Sequence, residues 1–158
     1  MAKYFVLLLF LGLTFMCPSY SQTDKTFRFS HIGLSEGLSQ STVVDITQDK
    51  YGNMWFATYN GLNKYNGYEF AVYKHDESDS CSIAGDVVRI CHLDKAGNIW
   101  AGTDHGLSLY DVNKDNFKNF IYLGDNCDIK GIADFDEHKL LLYAVSYTHL
   151  TLPTNREV

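Results

Sequence analysis

Basic residues are few and scattered in this chain. Thirteen Lys and Arg stand against 19 Asp and Glu, a formal charge of −6 over 158 residues, and no basic cluster occurs. Such a surface repels polyanions, which excludes nucleic acid and an anionic membrane surface as partners of this segment. Long apolar runs are missing too. The run from Tyr4 to Met16 has 13 residues, whereas a bilayer-spanning helix needs about 20. Cysteine is sparse: Cys17, Cys81, Cys91 and Cys127, none spaced as a metal pair. No nucleophile, base and orienting group fall into one motif, and no paired carboxylates stand out for glycosidic chemistry. Asp111, Asn113 and Asp115 mimic the start of a calcium loop, but Asn116 stands where glycine is needed and Tyr122 where glutamate is needed. The expectation is therefore a binding rather than a catalytic chain, with no cofactor and no metal.

The N-terminus reads as a secretory signal. Lys3 supplies the positive charge, Tyr4 to Met16 the apolar stretch, and Ser19 to Ser21 the small residues of a cleavage site. Residues 1–21 are expected to be removed, leaving Gln22 first. A lipidated Cys17 is disfavoured by the bulk of Met16. Export permits disulfides. Three cysteines then remain, an odd number, and a Cys81–Cys91 bridge stays open beside the simpler reading of unpaired thiols.

The feature that organises the chain is a segment that occurs twice. Asp49, Gly52, Trp55, Thr58, Gly61, Leu62 and Tyr65 recur as Asp94, Gly97, Trp100, Thr103, Gly106, Leu107 and Tyr110, in register 45 residues apart. A period of this size built from short strands and glycine turns indicates a propeller-type array, in which one repeat cannot bury its own apolar face.

Within the first copy, Val43 to Gln48 alternates with strand period. Asp49 to Asn53 is a turn, Met54 to Thr58 a second strand, Leu62 to Tyr65 a third. Asn66-Gly67 is a strong hairpin signal, because a tight turn there needs positive φ, and Tyr68 to Tyr73 forms the fourth strand. The second copy repeats the path through Val88, Ile99 to Thr103, Leu107 to Tyr110, and Phe117 to Tyr122. The third hairpin is two residues longer there, and its first strand is expected to carry one extra residue as a bulge. The fold expected is all-β, a β-propeller fragment of about two four-stranded antiparallel blades plus the start of a third.

The boundaries follow: 1–21 signal peptide; 22–42 a lead-in with a short strand at Phe27 to Phe29; 43–83 and 84–124 the two blades; 125–144 a partial third blade. Residues 145–158 carry no repeat feature and resemble translated sequencing-adapter sequence. They are read as a non-native tail.

Gly37, Leu38, Ser39, Gln40, Ser41 and Val43, followed by Asp49, Gly52, Met54, Trp55, Phe56, Thr58, Gly61, Leu62, Tyr65, Gly67 and Phe70, resemble the first blade of the two-component regulator propeller. The resemblance covers residues 27 to 143. It implies the exported N-terminal sensor of a Bacteroidetes hybrid histidine kinase, with a membrane helix, kinase, receiver and DNA-binding domain further along the chain. It also implies a periplasmic location, a homodimeric intact receptor, and oligosaccharide ligands released from glycans. Kinase activity would belong to the parent, since these residues hold no kinase histidine box and no nucleotide-binding glycine motif. Two other classes stand beside this reading, a secreted propeller scaffold for adhesion or protein interaction and an exported carbohydrate-active enzyme.

Candidate ligand contacts are the turn residues Tyr59, Asn60, Asp104 and His105, which differ between the copies while the flanking strands match. Variable loops on a rigid scaffold are where contacts collect, although solvated turn residues have the same signature. Trp55 and Trp100 could stack on a sugar, but a large aromatic at a repeated strand position is ordinarily core. The acidic loop His75 to Asp79 reads as a solvated connection that could also hold a cation. Two isolated blades would expose strand edges and an uncovered apolar face, so this length of chain is expected to self-associate.

Overall fold

The computed structural model describes residues 26–120, 127–136 and 139–146. The signal peptide, Tyr122 at the end of the expected fourth strand, and residues 147–158 lie outside the described residues. The chain divides into two units, Met1–His31 and Ile32–Val158.

In the first unit, residues 26–31 form no strand, and Phe27 and Phe29 are 76% and 95% exposed. This corrects the expectation of a short strand at Phe27 to Phe29. Alternation alone does not make a strand; its N–H and C=O groups need a partner edge, and none among the described residues pairs with this segment.

The second unit opens with a 3-10 turn, Leu34–Glu36, followed among the described residues by ten strands. The first sheet is β1 (Val43–Gln48), β2 (Met54–Thr58), β3 (Gly61–Tyr65) and β4 (Phe70–Tyr73). The second is β5 (Val88–Leu93), β6 (Ile99–Thr103), β7 (Gly106–Asp111) and β8 (Asn116–Phe120). Both are four-stranded antiparallel meanders in chain order, and β9 (Cys127–Asp134) with β10 (Leu140–Ser146) begins a third. The fold is thus all-β, in propeller-type blades. Within the described residues, β1 lies beside β5 and β5 beside β9, so the first strands of the three sheets converge.

The registers answer the sequence closely, with one correction. The bulge expected only in the second copy occurs in every copy. Pairing skips Val44 in β1, Arg89 in β5 and Lys130 in β9. Each stands four residues before the end of its strand, at Gln48, Leu93 and Asp134. The extra residue is therefore part of the repeat and bends each first strand at the same place. The longer third hairpin is as expected: Tyr65 pairs with Phe70 as the last pair before the turn, whereas Tyr110 pairs with Phe117 and one more pair, Asp111 with Asn116, precedes a turn of the same size. Asp115 in that turn is in the left-handed region, φ 53°.

The repeat also begins earlier than its first strand. Leu38 and Ile83 are both buried, at matching distances before Val43 and Val88. Ser39 N–H donates to Asn63 Oδ1 (2.9 Å) and Ala84 N–H to Ser108 Oγ (3.0 Å), the same contact in both copies. Each blade is therefore strapped across its third strand by the segment that precedes it.

Two apolar layers join the sheets. Trp55, Ala57, Leu62, Ile83, Val88, Cys91, Ile99, Ala101, Tyr110 and Phe117 fill the space between the first two. Leu107, Cys127, Ile129 and Ile132 pack with Ile90, Trp100 and Phe120 between the second and third. Burying each large side chain of this kind stabilises by about 1.5–3 kcal/mol. Two glycines are fixed by the packing. A Cβ on Gly102 would stand 2.7 Å from both Ile90 and Ile129 side chains, so the second and third sheets meet only over a bare backbone. Gly61 has φ +106°, and a Cβ there would stand 2.5 Å from the Tyr73 carbonyl.

Candidate functional site

The antiparallel meander sends successive turns to opposite edges. The turns after β1 and β5 fall on one edge, where Asp49 and Asp94 act as matched clasps. Asp49 Oδ1 accepts from the N–H of Tyr51 and Asn53, both 2.9 Å, and Oδ2 accepts from Asn53 Nδ2 (2.8 Å) and Trp55 Nε1 (3.0 Å). Asp94 holds Asn98 and Trp100 in the same way, with Trp100 Nε1 at 2.8 Å. Burial pushes the Asp49 carboxyl up, but the bonds from Asn53, Trp55 and the backbone outweigh it and hold the group below its ordinary 3.8. Trp55 is fully buried and offers no free face, while Trp100 is half-buried against the second layer.

The opposite edge carries the turns after β2 and β6, the straps, and the starts of β5 and β9. Here lie the four candidate residues. Thr58 and Thr103, both fully buried, shape the two turns alike: each hydroxyl donates to the carbonyl of the following glycine, Gly61 at 2.8 Å and Gly106 at 2.9 Å. Asn60 N–H and His105 N–H in turn donate back to those hydroxyls. The side chains then diverge. Asn60 Nδ2 donates to Ser39 O (3.0 Å), so it fastens the lead-in strap. Tyr59 N–H is held by Gln40 Oε1 (2.9 Å), while the residue is 44% exposed. Asp104 Oδ1 lies 2.9 Å from His105 Nδ1, in ion-pair range but without hydrogen-bond alignment.

The structure brings to this edge three residues the sequence did not single out. The Arg89 guanidinium lies over the Tyr59 ring, 5.7 Å from its centroid, and Arg89 Nε donates to Asp128 Oδ1 at 2.8 Å. Lys130 Nζ reaches the other oxygen of Asp128 at 3.0 Å. One carboxylate, 5% exposed, thus holds two cations from adjacent first strands. Burial pushes the Asp128 carboxyl up; Arg89 and Lys130 together outweigh that and pull it below 3.8. The bond to Asp128 raises the Arg89 guanidinium further above its ordinary value. Tyr59 is joined to Arg89, but Asn60 is turned to the strap. The signal that could have found Arg89, Asp128 and Lys130 was charge placed inside alternating strands.

Other polar clusters are structural. Tyr73 Oη donates to Asp115 Oδ1 (2.6 Å), Tyr110 Oη donates to the same oxygen, and Lys64 Nζ donates to Tyr110 Oη (2.9 Å), which ties the first sheet to the second. Burial and Asp115 push the Tyr73 phenol well up. His92 Nε2 sits 3.5 Å from Asp134 Oδ1, an ion-pair distance without hydrogen-bond geometry. The acidic connector borders a cavity of about 600 Å³ that His75, Asp76, Asp79, Cys81, Phe117 and Asn119 help to line. Among the described residues no group of three or more His, Cys, Asp or Glu is arranged to hold a metal ion. Cys81, Cys91 and Cys127 are free, the first exposed and the other two buried, so the open Cys81–Cys91 bridge is not formed.

Residues 37–60 match the model of the family described as two component regulator propeller. The chain is 41% identical over 71 residues to Histidine kinase P4 of Formosa agariphila, a match that covers 45% of this chain and 5% of that protein. Among solved structures it is similar to the extracellular domain of a Bacteroides thetaiotaomicron protein described as a one component system. There the TM-score is 0.58 and the identity 16%, over 75% of this chain and 18% of that one. It is also similar to an extracellular domain from the same organism described as part of a hybrid two component system, with TM-score 0.45 and 20% identity over 72% of this chain and 23% of that one. The chain therefore spans a small part of the length of each of these three proteins.

Proposed function

Starting from the two component regulator propeller repeat at residues 37–60, we propose that this chain is part of the exported ligand-sensing region of a two-component receptor. The observation that carries the reading is that match, which runs from the strap through β1 and β2 into the Tyr59 turn. The similarity to a histidine kinase over 71 residues supports it. The role of these residues is binding. A small glycan-derived oligosaccharide would be held in the periplasm on the edge that carries Tyr59, Arg89, Asp104 and His105, where an aromatic ring stands beside charged donors and acceptors. Ligand acts by favouring one arrangement of the receptor's exported part over another, which requires different affinities for the two. The kinase and its dimerisation belong to the rest of the receptor.

The test joins sequence and physiology. Reading the source locus through and beyond the codon for Ala144 is expected to show further repeats, a membrane span and a kinase. Deleting the gene is expected to abolish induction of glycan-utilisation genes by the cognate oligosaccharide. A locus without a kinase, or induction that survives the deletion, overturns the reading.

A further inference from the structure

The three bulged positions are one row. Val44, Arg89 and Lys130 occupy the same place in three neighbouring first strands, each left out of the ladder with its partner strand. A bulge re-aims the side chain it carries, and two of these three side chains are cationic. Both converge on Asp128, which is almost fully buried and so is a fixture of the scaffold and not a mobile counter-ion.

The count of donors is decisive. A guanidinium has five N–H donors and an ammonium three. Asp128 takes Arg89 Nε and one Lys130 N–H, and the terminal nitrogens of Arg89 make no hydrogen bond among the described residues. The Asp128 bond sets the plane of the guanidinium, and the Tyr59 ring lies against it at 5.7 Å. What remains is an oriented fork with a second cation beside it, 30% and 34% exposed at their side chains. Asp104 takes no hydrogen bond from these donors; its Oδ1 lies 2.9 Å from His105 Nδ1 without hydrogen-bond alignment, and its charge acts on Arg89 only through space. A fork of spare donors matches a group with acceptors only, a carboxylate or sulfate.

We propose that Arg89 and Lys130 form an anion subsite and that the ligand is a saccharide bearing a carboxylate or sulfate, its ring against Tyr59. This rests on the sensing role proposed above and adds the ligand's charge. Val44 leaves the corresponding place in the first sheet apolar, so the anion is read at one end of the row.

The test is calorimetric titration of the full-length exported protein with uronic-acid oligosaccharides, sulfated oligosaccharides and their neutral counterparts. Acidic ligands should bind at least about tenfold more tightly than the matched neutral ones, with an affinity that falls as salt rises. Arg89→Lys keeps a cation for Asp128 but removes the fork, and should weaken acidic ligands by about tenfold while leaving the melting temperature nearly unchanged. Lys130→Gln should weaken them less. Binding of neutral oligosaccharides alone overturns the anion subsite and leaves the sensing role standing. Acidic ligands that bind Arg89→Lys as tightly as wild type overturn the assignment to Arg89. Failure of every saccharide to bind overturns both readings.

Discussion

Replacing Asp49 by alanine uses the repeat as its own control. The Asp49 carboxylate is the acceptor for four N–H groups, among them the indole of Trp55, which is 0% exposed. Without it that indole N–H loses its acceptor, and a buried orphan donor costs about 1–3 kcal/mol. Loss of the charge-assisted bonds to the Asn53 amide and to the turn backbone adds about 1 kcal/mol more, since water replaces part of them. The total expected for Asp49→Ala is about 3 kcal/mol. Asp94→Ala removes the same carboxylate from the second copy, but Trp100 is only half-buried and its N–H can turn to solvent, so about 1 kcal/mol is expected. Urea unfolding of the complete exported region, one variant at a time, reads the difference. Acid adds a second check. The folded-state pKa of Asp49 is depressed, so its contribution is present above the ordinary 3.8 and lost as pH falls through the lower folded value. The gap between wild type and Asp49→Ala should therefore hold at neutral pH and close only below pH 3.8. Equal losses in the two variants, or a gap that closes near pH 6, would refute the clasp argument.

Gly61→Ala should cost more than about 2 kcal/mol, because it combines positive φ with a Cβ 2.5 Å from the Tyr73 carbonyl; thermal melting checks it. Iodoacetamide at pH 8 should modify exposed Cys81 quickly and spare Cys91, whose thiol is pushed up to about 12 by burial and by Asp45; mass spectrometry counts the labels. Asp115→Ala removes the acceptor shared by Tyr73 and Tyr110 and leaves Lys64 facing only a phenol, so a loss of about 1–3 kcal/mol is expected by urea unfolding. The chain from residue 22 to 144, produced alone, should form concentration-dependent oligomers by light scattering, since Ile46, Val72, Phe135 and Tyr143 leave apolar surface open; a monomer that unfolds cooperatively contradicts this.

The strands and their turns were legible because each has a local cause. Period-two alternation sets β1, the Asp-to-Asn turns before the tryptophans are closed by their own side chains, and the glycines of positive φ mark turns. Phe27 to Phe29 misled because it has the alternation without a partner. The bulge in β5 was expected, but those in β1 and β9 went unread, because an unpaired residue is defined by the opposite strand, which no one-dimensional pattern records. The straps had a signal that went unread: Leu38 with Ser39 and Ile83 with Ala84 stand at the same spacing as the tryptophans. At the candidate site, the turn residues could be marked by their variability. Arg89, Asp128 and Lys130 carried only the signal of charge inside alternating strands, and their convergence was not legible, since it comes from the adjacency of β5 and β9.

The strap places the seam of the repeat ahead of the first strand. A unit cut between Leu38 and Ile83 contains a meander together with the segment that covers it, so the strap and the third strand it fastens travel together. A gene that gained or lost such a unit in tandem would leave no third strand uncovered and no cover without a strand. The number of blades in such a protein can thus drift by whole units without parting a strap from its strand, while the row of bulged positions lengthens or shortens with it and alters what the assembled edge can grip.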